Sequence, residues 1–130
     1  MNAHRLPVRV YWEDTDAGGL VYHASYLRFL ERGRTELLRT LGISQGSMLE
    51  ATGAAFVVRR MAIEFHRPAR LDDLLAVETD VERLNRASLV LNQAVRRDGE
   101  TLVEAVVTCA CIRAGKPVRL PEALAAALRG

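Results

Sequence analysis

The chain has 130 residues, 49% of them hydrophobic, an ordinary length and composition for one compact domain with a real core. Its 18 basic and 16 acidic residues are interspersed and leave a net charge of only +2, so no charged block points to nucleic acid or to a membrane surface. Met1 to Pro7 carries His4 and Arg5 but no apolar run of the signal-peptide kind, and no later stretch is long enough to span a bilayer. The expectation is a cytoplasmic protein.

From Leu6 the residues alternate, with Val8, Val10 and Trp12 on one side and Arg9, Tyr11 and Glu13 on the other, which predicts a first strand. Gly18 and Gly19 break this pattern. Tyr22, Tyr26, Phe29, Leu30, Gly33, Leu37 and Leu41 then recur at helical spacing as far as Gly42, a helix of about 20 residues and roughly 30 Å. With Leu27 and Leu38 its apolar arc covers roughly half the circumference, wider than the ~100° stripe of a helix lying on a flat surface, so something curved should wrap it. Arg34 falls in that arc and Glu31 at its edge, one turn apart, which predicts a partly buried pair. Gly33 costs helix propensity that close approach to a strand would explain.

Ile43 to Gly53 reads as a loop or one short helix. Strand patterns follow at Phe56 to Phe65, Leu74 to Leu84, Ala87 to Arg96 and Thr101 to Arg113, with turns at Arg67-Pro68, Asn85 and the hairpin dipeptide Asp98-Gly99. Strands in succession without helices between them imply an antiparallel meander. On the last strand Val103, Ala105, Val107, Cys109 and Cys111 form one row and Leu102, Val106, Ala110 and Ile112 the other. Both rows are apolar, which predicts burial of the outer one against a second copy; the expectation is at least a homo-dimer with sheets joined edge to edge, or a homo-tetramer that uses this outer face. Cys109 and Cys111, the only cysteines, read as small core residues. Pro121 to Leu128 reads as a short terminal helix.

The stretch with the richest chemistry is Asp14-Thr15-Asp16-Ala17-Gly18-Gly19, leading through Tyr22 and His23 into the long helix. It sets carboxylates in a glycine turn beside helix N–H groups that lack intrahelical acceptors and favour negative charge. A carboxylate on one side of a carbonyl, with N–H donors on its oxygen side, is the minimal equipment for acyl transfer. Asp14-Thr15-Asp16 also has the look of a divalent-metal site, but no further hard ligands or phosphate loop accompany it, and the His and Cys residues form no ligand set.

The run from Arg9 to Tyr26, with Thr15-Asp16, Gly19, Val21, His23 and Tyr26, resembles the signature of the 4-hydroxybenzoyl-CoA thioesterase family; Leu20 departs from it in not being β-branched. Glu13 to Gly19, Val21 to Tyr26, Glu31-Arg32, Phe56-Val57-Val58-Arg59 and Pro68-Ala69-Arg70-Leu71-Asp72-Asp73 are together similar to its Tol-Pal-associated acyl-CoA thioesterase branch. The resemblance implies an α+β hotdog fold, a curved antiparallel sheet of about five strands around one long helix. It further implies hydrolysis of acyl-CoA without a cofactor, with sites that lie between subunits.

On that resemblance Asp16 matches the catalytic carboxylate, nucleophile or general base, where the bland role would be a helix-entry cap. His23 matches the position whose backbone N–H meets the thioester oxygen, and Glu31 a second acidic position that would orient water. Asp14 is expected to brace the turn. Tyr22 and Tyr26 read as core rather than catalytic, with Tyr22 also assigned to the substrate surface. Arg59, Arg60, Arg67 and Arg70, near the second motif, are assigned to coenzyme A phosphates, for which the planar guanidinium is suited. The competing reading is a non-catalytic module that holds acyl thioesters or acyl-carrier protein; a carboxylate at position 16 favours the enzyme.

Overall fold

The structure, a computed structural model, describes residues 3–129; of the N-terminal stretch read above, Met1 and Asn2 lie outside the described residues. Strand β1, His4–Arg9, is shorter than the alternation of Val8, Val10 and Trp12 suggests. It ends because the Tyr11 N–H turns to the Asp14 carboxylate, 2.8 Å away, and Trp12–Asp14 winds into one 3-10 turn. Val10 remains fully buried, but Trp12 is 71% exposed.

Helix α1, His23–Thr40, buries Tyr26, Phe29, Leu30, Gly33, Arg34, Leu37 and Leu38, most of the arc predicted for it, but Leu27 is exposed and Leu41 only half-buried, so the arc is narrower than expected; Gly42 follows the helix end at φ 85°. Ile43 to Gly53 contains a short helix, α2, Gln45–Thr52. The four predicted strands are β2, Ala55–Phe65; β3, Leu74–Leu84; β4, Ser88–Arg97; and β5, Glu100–Arg113. A two-residue strand β6, Lys116–Pro117, pairs with β5, and helix α3, Glu122–Arg129, closes the described chain. Asp98 and Gly99, both at positive φ, make the β4–β5 hairpin.

All pairings are antiparallel, in the order β1-β3-β4-β5-β2. Only β3, β4 and β5 form the expected meander. Strand β2 is not beside β3: β1 occupies that edge, from His4↔Thr79 to Arg9↔Leu74, and β2 pairs with β5 instead, from Ala55↔Ile112 to Phe65↔Val103. Residues 66–73 therefore carry the chain from one edge of the sheet back across it.

The sheet curls around α1, burying Leu75, Val77, Leu91, Val95, Val103 and Val107 against Phe29, Leu30 and Leu37. Each such side chain contributes about 1.5–3 kcal/mol on burial. Gly33 marks the closest approach, since a Cβ there would fall 2.7 Å from Thr79 Oγ1 and 2.8 Å from Val77 Cγ1. The expected Glu31–Arg34 pair is replaced. Arg34 donates inward to the side-chain carbonyl of buried Gln93 at 3.1 Å, while Glu31 accepts from the Thr35 hydroxyl at 2.9 Å.

The outer row of β5 differs from expectation too. Leu102 and Ala110 are already buried within the chain, and only Val106 is strongly exposed. Across the middle of the outer face Glu64, Glu78, Asp80 and Glu104 surround Ala62, Ala94 and Val106, so this surface is acidic rather than apolar. Cys109 and Cys111 are free and buried, as read, and burial pushes both thiols above their ordinary pKa. Among the described residues no helix is long and apolar enough to cross a membrane.

Candidate active site

The loop between β1 and α1 is closed on itself. The Asp16 N–H donates to the Leu20 carbonyl (2.8 Å) and the Gly19 N–H to the Asp16 carbonyl (3.1 Å), with Gly19 at φ 80°, where a side chain would be strained. The N–H groups of Gly18 and Leu20 both reach Asp16 Oδ1, at 2.9 and 3.1 Å. One carboxylate oxygen is thus held by two donors. The other, Oδ2, accepts from no described residue, and the side chain as a whole is exposed.

A second loop grips the first. Val21 N–H donates to Ala69 (2.9 Å), Leu71 N–H to Gly19 (2.9 Å) and Asp72 N–H to Val10 (3.0 Å). Leu20 and Arg70 form an isolated antiparallel bridge. The motif Pro68 to Asp73 therefore accompanies the Asp16 motif because its backbone is the clamp on that loop. Asp14, 5% exposed, is the internal brace: its carboxylate accepts from Tyr11 N–H and from Arg28 (3.3 Å), and its carbonyl from Tyr22 N–H (2.9 Å) and the Ser25 hydroxyl (3.0 Å).

Helix α1 begins at His23 after an extended Tyr22 whose side chain makes no cap. The N–H groups of His23 and Ala24 therefore point out of the first turn without intrahelical acceptors, at the positive end of the helix dipole. The exposed His23 ring lies against Tyr22, centroids 4.4 Å apart, and edge-on to Phe65 at 6.5 Å. It borders a cavity of about 250 Å³ shared with Val21, Tyr26, Phe65, His66 and Arg67. Tyr26 is core, 3% exposed, and its hydroxyl accepts from Ala69 N–H at 2.9 Å. Burial raises its pKa, against the opposing pull of that bond. Tyr22 is not core: it is 51% exposed at the helix entrance.

Glu31 lies two turns, about 12 Å, further along α1 than His23. It opens onto a second cavity of about 230 Å³ between α1, α2 and the inner face of β2, together with Arg34, Thr35, Gln45, Leu38, Phe56, Val58, Leu91 and Cys109. Arg67 flanks the first cavity and pairs with Glu100 at 3.1 Å, and Arg70 is exposed on the clamping loop. Arg59 and Arg60 sit apart from them, exposed at a bulge in mid-β2. Arg60 is five residues, about 17 Å, along the strand from Phe65. Within one chain, then, Asp16, His23, Arg67 and Arg70 gather at the start of α1, while Glu31, Arg59 and Arg60 do not.

Two supporting groups escape a sequence reading. Arg97 bonds Asp73 at 2.7 Å and Glu100 at 3.1 Å, tying the clamping loop to the β4–β5 hairpin. Burial pushes the Asp73 carboxyl up, but the bonds from Arg97 and from the Arg70 N–H outweigh it and leave the group below its ordinary pKa. Arg28, donating to both Asp14 and Ser25, ties the loop to α1. Its spacing from Ser25 on a helix was the available signal; Arg97 has none, because it arrives from a distant strand.

The sequence profile of the thioesterase-like superfamily matches residues 10–128. The chain belongs to that superfamily. It is 49% identical over 128 residues to the acyl-CoA thioesterase YbgC of Haemophilus influenzae, covering 97% of this chain and 94% of that protein. Against the acyl-CoA thioester hydrolase YbgC of Escherichia coli O6:H1 the identity is 47% over 125 residues, covering 94% and 92%. The crystal structure of a probable thioesterase from Bartonella henselae, 43% identical, superposes with a TM-score of 0.88 over 92% of this chain and 99% of its own. The hotdog fold and the family resemblance read from Arg9 to Tyr26 are both borne out.

Proposed function

We propose that this thioesterase-family chain hydrolyses the thioester of acyl-CoA to free acid and coenzyme A, with Asp16 as the catalytic carboxylate. One observation carries the reading: Asp16 is fixed through Oδ1 by two backbone donors with Oδ2 open, in the loop that delivers the uncapped start of α1. The thioester oxygen accepts from the His23 N–H, where the charge of the tetrahedral intermediate develops. Asp16 Oδ2 either attacks the carbonyl carbon, expelling the coenzyme A thiolate and leaving an anhydride that water cleaves, or takes a proton from an attacking water. A module that merely held thioesters has no use for a free carboxylate oxygen at this place.

The site is completed by a second copy. One edge of β2 is unpaired in the sheet, and antiparallel pairing with another β2 along its full length sets Phe65 opposite Ala55 of the other copy. The His23 end of one protomer then adjoins the 230 Å³ cavity of its partner, which receives the acyl chain and brings Glu31 to the reaction centre to orient water. Tyr22 borders the entry, and Arg59, Arg60, Arg67 and Arg70 rim it for coenzyme A phosphates. An acyl-carrier protein presents the same thioester and is a second donor of the acyl group.

The test is free-thiol release from a series of acyl-CoAs, followed down to concentrations at which light scattering shows monomers. Turnover that disappears with dissociation supports the shared site. A chain that cleaves no thioester at any concentration is not a hydrolase.

A further inference from the structure

Arg34 forms part of the floor of the 230 Å³ cavity and is only 9% exposed. Its one hydrogen bond to a side chain among the described residues is to the neutral carbonyl of Gln93, which occupies a single guanidinium nitrogen. Burial lowers its pKa, with Cys109 and Glu31 acting in the opposite sense. Its remaining N–H groups are not sealed away: among the described side chains, only His4 Nδ1 and Asp80 Oδ1 are buried without a partner. Arg34 itself lines the cavity, which is where an acceptor for these groups can sit. Its walls are Leu38, Phe56, Leu91 and Cys109, with the polar group Glu31, Thr35 and Gln45, hydrogen-bonded to one another, on one side.

A guanidinium held in a largely apolar cavity without a direct ion pair is costly unless an acceptor faces it. A plain hydrocarbon chain entering this space displaces the water that solvates Arg34 and offers nothing in exchange. A chain that carries its own oxygen replaces that water.

We propose that this cavity selects acyl groups bearing a hydrogen-bond-accepting oxygen beyond the thioester, a hydroxyl or a carboxylate, with Arg34 as the donor. The proposal rests on the thioesterase reading and on the acyl chain entering this cavity. A hydroxyl satisfies both ends of the cavity, accepting from Arg34 and donating to Glu31. A carboxylate gains the full charge of Arg34 but meets repulsion from Glu31.

The experiment compares butyryl-CoA, 3-hydroxybutyryl-CoA and succinyl-CoA. At least one oxygenated substrate should exceed butyryl-CoA in kcat/KM by about 10- to 100-fold, the range of a hydrogen bond to a charged group. Which of the two leads separates hydroxyl from carboxylate recognition. In Arg34→Met the ratio should collapse toward one. Dissociation constants of the same three thioesters for Asp16→Asn repeat the comparison without turnover, so an inactive wild type would sink the hydrolase reading alone. Equal or weaker handling of both oxygenated chains by the wild type, or a ratio that survives in folded Arg34→Met, would overturn the assignment. Should Arg34→Met not fold, the wild-type ratio and the Asp16→Asn affinities decide it.

Discussion

The side-chain amide of Gln93 reaches from β4 to the main-chain carbonyl of Leu30, 2.9 Å away in the body of α1. The same amide donates to Thr79 at 2.9 Å, so a strand side chain grips the helix by its backbone where Gly33 leaves room. Gly33→Ala places a methyl 2.7 Å from Thr79 Oγ1 and 3.1 Å from Gln93 Nε2. The better helix propensity of alanine is worth only about 1 kcal/mol. Overpacking of this kind costs about 1–3 kcal/mol, and denaturant unfolding should show a net loss of stability. A more stable variant would mean that the helix can move off the sheet at no cost.

Asp16→Asn preserves shape and removes both charge and basicity. It should fold normally and lose about 10²- to 10⁴-fold in kcat on a good thioester, with KM changed much less. Wild-type turnover by the folded variant would reduce Asp16 to a turn residue.

Asp14→Asn tests the brace rather than the chemistry. Its buried carboxylate serves Tyr11 and Arg28 together. Replacing it should cost about 1–3 kcal/mol of stability while reducing kcat less than Asp16→Asn does. A larger kinetic loss at Asp14 than at Asp16, with stability unchanged, would exchange their roles.

The pair between Asp73 and Arg97 makes stability depend on pH. The Asp73 carboxyl lies below its ordinary value of 3.8 in the folded chain, so the unfolded chain holds that proton more tightly. The stabilisation is therefore present above about pH 4 and is lost as pH falls through the lower folded value. Asp73→Asn should cost about 0.5–1 kcal/mol near neutrality and almost nothing in strong acid. A difference between wild type and variant that is the same at both ends of this range would place the effect in packing.

Burial raises the pKa of both cysteine thiols. Iodoacetamide should therefore label neither Cys109 nor Cys111 at neutral pH on the timescale on which the unfolded chain reacts fully. Rapid labelling of Cys111 in the native protein, read by mass spectrometry, would show that the sheet opens around β5, whereas labelling of Cys109 alone would show entry through the 230 Å³ cavity it lines.

Residues that report on their own neighbours were legible. The apolar arc of α1, the requirement for closeness at Gly33 and the Asp98-Gly99 hairpin all follow from local spacing and turn chemistry. Trp12 was misleading because alternation predicts a continuing strand, whereas the Asp14 carboxylate captures the Tyr11 N–H and bends the chain first. The place of β2 was hidden for another reason: which strand pairs with which depends on the edge that β1 already occupies, and no residue of β2 records that. Arg34 was read correctly as buried, but its acceptor came from β4, far away in sequence. The gathering of Asp16, His23, Arg67 and Arg70 could not be read from the sequence, because only the folded chain sets the Pro68 to Asp73 loop against the Asp16 loop; the separation of Glu31, Arg59 and Arg60 from them likewise needed the helix and strand lengths.

The strand order also sets the tempo at which the chain can assemble. Strands β3, β4 and β5 form by successive hairpins and can close within microseconds. Strand β2 is made earlier in the chain, yet it has nothing to pair with until β5 exists, since Ala55 meets Ile112 and Phe65 meets Val103. During synthesis it therefore waits with Phe56, Met61 and Ile63 not yet packed on the core, and its docking, like that of β1 on β3, is a non-local step. A ribosome stalled before β5 emerges would hold β2 with its apolar residues and its backbone both unpartnered, the species most exposed to premature association.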